Sequence, residues 1–119
     1  MRQLTFASLQ VKNLEASKNF YSKELGFEIG NSNPQACVFK YNNGEASFAI
    51  RTPLEPLEGR ELGIGVAIWF AVDKNVDELK EDFIAKGVAT TGPLIETPFG
   101  RAFHVIDLDG YKLTFLNAI

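Results

Sequence analysis

The sequence predicts an α+β fold built from two βαβββ modules, and three observations carry that prediction. A strand followed by an amphipathic helix, from Leu4 to Gly26, is repeated from Ile64 to Gly87. Each helix is followed by apolar runs that pass through a glycine-containing turn, Asn42-Asn43-Gly44 in the first half and Asp107-Leu108-Asp109-Gly110 in the second. The chain is 119 residues long. Half of it, about 60 residues, buries too little apolar surface to stand alone, so the copies are expected to pack as one domain over 1–119 with a shared cavity between them. The first module covers about 1–52, a connector about 53–62, and the second module about 63–119.

Leu4 to Val11 reads as the first strand. Asn13 then supplies an N-cap for a helix from Leu14 to about Leu25, stopped by Gly26. Leu14, Ser17, Tyr21 and Leu25 share one face of that helix, with Phe20 beside it. A short strand is expected near Phe27–Ile29. The runs Ala36–Tyr41 and Ala46–Arg51 form a hairpin across Asn42-Asn43-Gly44-Glu45. Two prolines and a glycine in Thr52–Arg60 mark an irregular connector. The second half repeats the order: a strand over Ile64–Val72, and a helix over Val76–Lys86 stopped by Gly87. The apolar stripe of this helix is Val76, Leu79, Phe83 and Ile84, with Asp77, Glu78, Lys80, Glu81 and Asp82 toward water. A short strand is expected near Ala89–Thr91, then Arg101–Ile106 pairs with Lys112–Leu116. The hairpins align turn on turn, Gly44 against Gly110.

A net charge of −3 with scattered basic residues excludes a nucleic-acid partner, which needs clustered Lys and Arg. A single cysteine, Cys37, excludes an internal disulfide and a Cys-rich metal site, and suits a reducing cytoplasm. The N-terminus lacks the apolar core of a signal peptide and no stretch reaches membrane-spanning length, so no membrane partner is expected. Ten Phe, three Tyr and one Trp suffice to line a pocket as well as fill a core.

Val11-Lys12-Asn13-Leu14-Glu15-Ala16-Ser17, Phe20-Tyr21 and Leu25-Gly26-Phe27 together resemble the opening of the vicinal oxygen chelate superfamily, which includes glyoxalase I, extradiol dioxygenases and bleomycin-resistance proteins. Pro98-Phe99-Gly100-Arg101, Phe103 and Asp107-Leu108-Asp109-Gly110-Tyr111-Lys112-Leu113 resemble its closing signature, with Leu108 where Pro is usual. The resemblance spans essentially the whole chain. It implies cup-shaped mixed sheets with helices outside, and a homodimer. It also implies a divalent metal held by His and Glu, but the residues at those positions break the pattern. The first-strand ligand position falls on Phe6 and its counterpart on Ala67. The last-strand position falls on Thr114 and its counterpart on Phe48. Phenyl and methyl groups have no lone pair to donate, and neighbours one residue away offer no carboxylate or imidazole, so no metal and no cofactor are expected.

Strands alternate faces, so residues two apart from those positions are expected on the concave side. The expected ligand lining is Phe6, Ser8, Gln10, Val38, Phe48, Ile50, Trp69, Ala102, His104, Thr114 and Leu116. The rings either plug the space a metal would have taken or touch ligand. His104, the only histidine, is either a structural hydrogen-bonding residue or a catalytic acid/base. This lining suits a small aromatic or apolar molecule. The expected function is metal-independent binding of such a ligand, an antibiotic or a metabolite, as in bleomycin-resistance proteins. The alternative is a lyase or dioxygenase of the superfamily with a non-standard or metal-free site using His104.

Overall fold

The computed structural model describes residues 1–118. The chain divides into two compact units, Met1–Gly59 and a second beginning at Arg60, and the boundary falls inside the expected connector. Each unit is a βαβββ module with a four-stranded mixed sheet.

The first unit contains β1 (Phe6–Gln10), helix α1 (Leu14–Asn19), β2 (Ile29–Ser32), β3 (Ala36–Phe39) and β4 (Ser47–Arg51). The sheet order is β1-β4-β3-β2, with β1 parallel to β4 and the other pairs antiparallel. Asn13 caps α1, its side-chain oxygen accepting from the Ala16 backbone N–H at 3.0 Å. The helix is shorter than expected because residues Phe20–Glu24 widen into a π-helical turn, in which Leu25 N–H donates to the Phe20 carbonyl at 3.0 Å. The wider turn lets the consecutive rings of Phe20 and Tyr21 both be buried. Tyr21, Phe27, Phe39 and Phe48 then form a ring cluster with centroids 5.5–5.9 Å apart on the helix side of the sheet.

The second unit contains β5 (Ile68–Ala71), helix α2 (Val76–Ala85), β6 (Ala89–Thr97), β7 (Gly100–Ile106) and β8 (Lys112–Ala118). Its sheet order, β5-β8-β7-β6, repeats that of the first, with β5 parallel to β8. Asn75 caps α2 by accepting from the Asp77 and Glu78 backbone N–H groups. Asn117 on β8 ties the helix start to the sheet: its side chain accepts from Val76 N–H and donates to the Val72 and Lys74 carbonyls. Val76 and Phe83 are buried against the sheet, but Ile84 is exposed and does not belong to the stripe assigned to it. The acidic helix face is not wholly solvated, since Asp77 binds Arg101 on β7 at 2.8 Å. Phe70, Phe83, Phe103 and Phe115 form the second ring cluster, again on the helix side.

Strand boundaries shift where turn chemistry competes with apolar patterning. β5 begins only at Ile68, because Gly63 and Gly65 take positive φ and hold residues 62–65 in turns, leaving Ile64 and Val66 exposed. β6 extends to nine residues, with a register irregularity between Thr91 and Ile95.

Candidate functional site

Cross-strand register fixes which side chains share the sheet face opposite each helix. In the first unit Phe6 pairs with Ser47, Ser8 with Ala49, and Gln10 with Arg51. On the other side of β4, Ala49 pairs with Val38 and Arg51 with Ala36. These residues form one row, and Phe6, Ser8, Ala36, Val38, Ser47, Ala49 and Arg51 line a pocket of about 280 Å³. Gln10 stands at the end of the row, where its side-chain carbonyl accepts from Leu54 N–H at 2.9 Å and holds the connector.

Phe48 and Ile50 are not in this row. Phe48 belongs to the ring cluster beneath the helix, and Ile50 is fully buried. The correction has a definite cause. His104 and Thr114, paired across the second hairpin, are ten residues apart, whereas their counterparts Val38 and Ala49 are eleven apart. Aligning Gly44 on Gly110 therefore misplaces β4 by one residue, and a one-residue slip exchanges the faces of a strand. The row-facing residues of β4 are Ser47, Ala49 and Arg51. Arg51 was missed for that reason alone.

In the second unit Trp69 pairs with Thr114, and Thr114 with His104, so all three lie on the face opposite α2. Ala71, Leu116 and Ala102 form the next rank of the same face. Trp69 is 42% exposed and meets Phe99 edge-on at a centroid distance of 6.0 Å. Ala102, Thr114 and Leu116 lie on the expected face but are buried, so they offer no open surface. Ala67 is exposed and just precedes β5.

His104 Nδ1 and Thr114 Oγ1 are 2.8 Å apart, which fixes the ring. Burial, with a contribution from the Lys112 charge, holds the imidazole pKa below its ordinary value, so the ring is neutral at pH 7. Nε2 makes no hydrogen bond among the described residues. Cys37 lies fully buried on the helix side of β3, and burial pushes its thiol up, away from the reactive thiolate.

Two βαβββ modules of the same strand order, each with an open sheet face opposite its helix, are the architecture of a glyoxalase-type fold. The chain belongs to the Glyoxalase/Bleomycin resistance protein/Dioxygenase superfamily, whose family model matches residues 3–115. Among solved structures it is similar to TnmS3, an antibiotic binding protein from Streptomyces sp. CB03234, at 21% identity and TM-score 0.79, over 100% of this chain and 98% of that one. It is also similar to ATC0852 from Agrobacterium tumefaciens, at 27% identity and TM-score 0.77, over 100% and 99% of the two chains. A superfamily member from Sphaerobacter thermophilus DSM 20745 shares 23% identity at TM-score 0.74, over 98% of each chain. No curated protein matches the chain.

The divalent metal of the superfamily's enzymes does not fit the residues present. With the register corrected, the four ligand positions are Phe6, Ala67, Ala49 and Thr114, of which only Thr114 has a donor atom, a neutral hydroxyl already bonded to His104. Among the described residues no three His, Cys, Asp or Glu side chains converge.

Proposed function

We propose that the protein is a metal-independent binding protein for a small aromatic or apolar molecule, such as an antibiotic or a metabolite. The observation that carries this reading is the row-facing pocket of the first unit, where a ring and small side chains enclose about 280 Å³ without a metal-binding donor set. The exposed Trp69–Phe99 pair supports it, because rings on an open sheet face offer stacking surface at small entropic cost. The likeness to TnmS3, an antibiotic binding protein, supports it from the side of fold. In the same reading the protein works in the cytoplasm, consistent with its unpaired Cys37, and as a homodimer that covers exposed Ile64, Val66 and Phe99.

Calorimetric titration with a panel of aromatic antibiotics and metabolites tests the proposal. Saturable binding is expected, weakened by Ser8→Trp, which fills the pocket. Flat titrations across the panel would sink it, as would a stoichiometric metal in the purified protein by elemental analysis. Light scattering at the mass of one chain would remove the dimer.

A second reading, a metal-free acid–base enzyme, is favoured by one observation. His104 is neutral, its Nδ1 is held by Thr114, and its Nε2 is left to accept or deliver a proton. Its cross-strand partners Thr91 and Thr114 carry no titratable group, and the Lys112 charge acts on the ring from the same strand as Thr114. Turnover of a superfamily substrate that disappears in His104→Gln would establish this reading over the first.

A further inference from the structure

The pocket in the first unit carries a charge that its apolar walls do not call for. Arg51 is the last residue of β4 and lines the pocket with Phe6, Ser8, Val38 and Ala49. Its Nε donates to the Thr52 carbonyl at 3.0 Å, which fixes the plane of the guanidinium. Among the described residues the Arg51 guanidinium pairs with no carboxylate. Elsewhere in the unit Lys18 pairs with Glu15 and Lys40 with Glu28. Two Nη groups therefore keep their N–H donors for something else, in the planar fork that matches a carboxylate. The hydroxyls of Ser8 and Ser47 lie on the same lining and make no hydrogen bond among the described residues.

We propose that this pocket selects an anionic ligand, an aromatic carboxylic acid whose carboxylate is held by Arg51. Its ring lies against Phe6, Val38 and Ala49, and Ser8 and Ser47 serve as secondary donors. This rests on the binding-protein reading and narrows it to one chemical class. At about 280 Å³ the pocket lies near the lower end of ligand cavities, which favours an acid of one or two rings over a large polycycle. A cationic ligand would meet like charge at Arg51 and is disfavoured.

The test uses three probes of one shape, 2-naphthoate, 2-naphthalenemethanol and 2-naphthylmethylammonium, titrated into the full chain at pH 7 and followed by calorimetry and amide chemical shifts. The acid is expected to bind about tenfold more tightly than the alcohol, the ammonium more weakly than either, and the acid's advantage to shrink with added salt. Arg51→Gln should abolish the acid's advantage over the alcohol; Arg51→Lys should retain part of it. Equal binding of acid and alcohol, or an advantage that survives Arg51→Gln, overturns the anion proposal and leaves the binding-protein reading standing. Shift changes outside the Phe6, Val38 and Arg51 region overturn it too. If no probe binds, both fail.

Discussion

The two modules share a strand order and a ring cluster beneath the helix, yet their opposite sheet faces have little in common. In the first, the central rank is Ser8, Ala49 and Val38, small enough to leave a pocket with a guanidinium at its end. In the second, the same rank is Trp69, Thr114 and His104, a large ring beside a closed hydrogen bond. The helix-facing side must match a packed partner, so it tolerates little change in volume. The opposite side has no helix to satisfy and can diverge. The turns differ as well. The second hairpin closes on Asp107, whose buried carboxylate accepts from the Asp109 and Tyr111 backbone N–H groups at 2.9 and 2.8 Å. The first closes through a longer, exposed loop, where Glu45 accepts from Asn42 N–H.

The harshest test of the contrast lies at the start of β7. A Cβ on Gly100 would stand 2.0 Å from the Asn117 carbonyl oxygen at a φ of +142°, and Asn117 also anchors α2. Gly100→Ala is expected to cost about 3 kcal/mol or more in urea unfolding. Gly44→Ala, in the open loop of the first module, keeps only the strain of its positive φ and should cost about 1 kcal/mol. Next comes the turn itself. Asp107→Ala leaves buried N–H groups without an acceptor and should cost about 2 kcal/mol, against about 0.5 kcal/mol or less for Glu45→Ala. Equal losses would show that the two turns do the same job.

The smallest expected effect is a pH dependence confined to the second module. The folded chain holds His104 below the ordinary histidine value, so the unfolded chain takes up a proton first as pH falls. Stability attributable to this group is intact above about pH 6.5 and declines as pH drops below it, until the folded ring also protonates. Unfolding curves from pH 7.5 to 5 should show this decline, and His104→Gln should flatten it. An unchanged slope in the variant would remove His104 from the account.

The fold was legible because both modules obey the same local signals. Asn13 before Leu14, Gly26 and Gly87 after the helices, and apolar runs around Gly44 and Gly110 mark the same order twice. On the second-unit face, the superfamily resemblance points to Ala67, Thr114 and, by the count back from Asp107, His104, and strand alternation adds Trp69 to the same face. What failed was counting across a loop. Alternation within β4 is plain in the sequence, but its phase depends on the length of the Lys40–Ala46 segment, and glycine position does not report that length. The apolar character of Phe48 and Ile50 fits either face of a sheet, so composition could not correct the error. Arg51 was the available signal: a charged residue at the end of an apolar strand sits more cheaply on an open face than beneath a helix. The π-helical turn at Phe20–Glu24 has no comparable signature, because Leu14, Ser17, Tyr21 and Leu25 fit an unbroken α-helical face equally well.

The extra residue between β3 and β4 has a practical consequence for anyone building chimeras from this chain. A last strand from the second half joined to the first at the glycines would arrive inverted, burying Thr114 beneath α1 and turning Phe115 toward the opposite face. Splicing at Val38 and His104, where the sheets coincide, and again at Ala49 and Thr114, would deliver each side chain to its intended compartment.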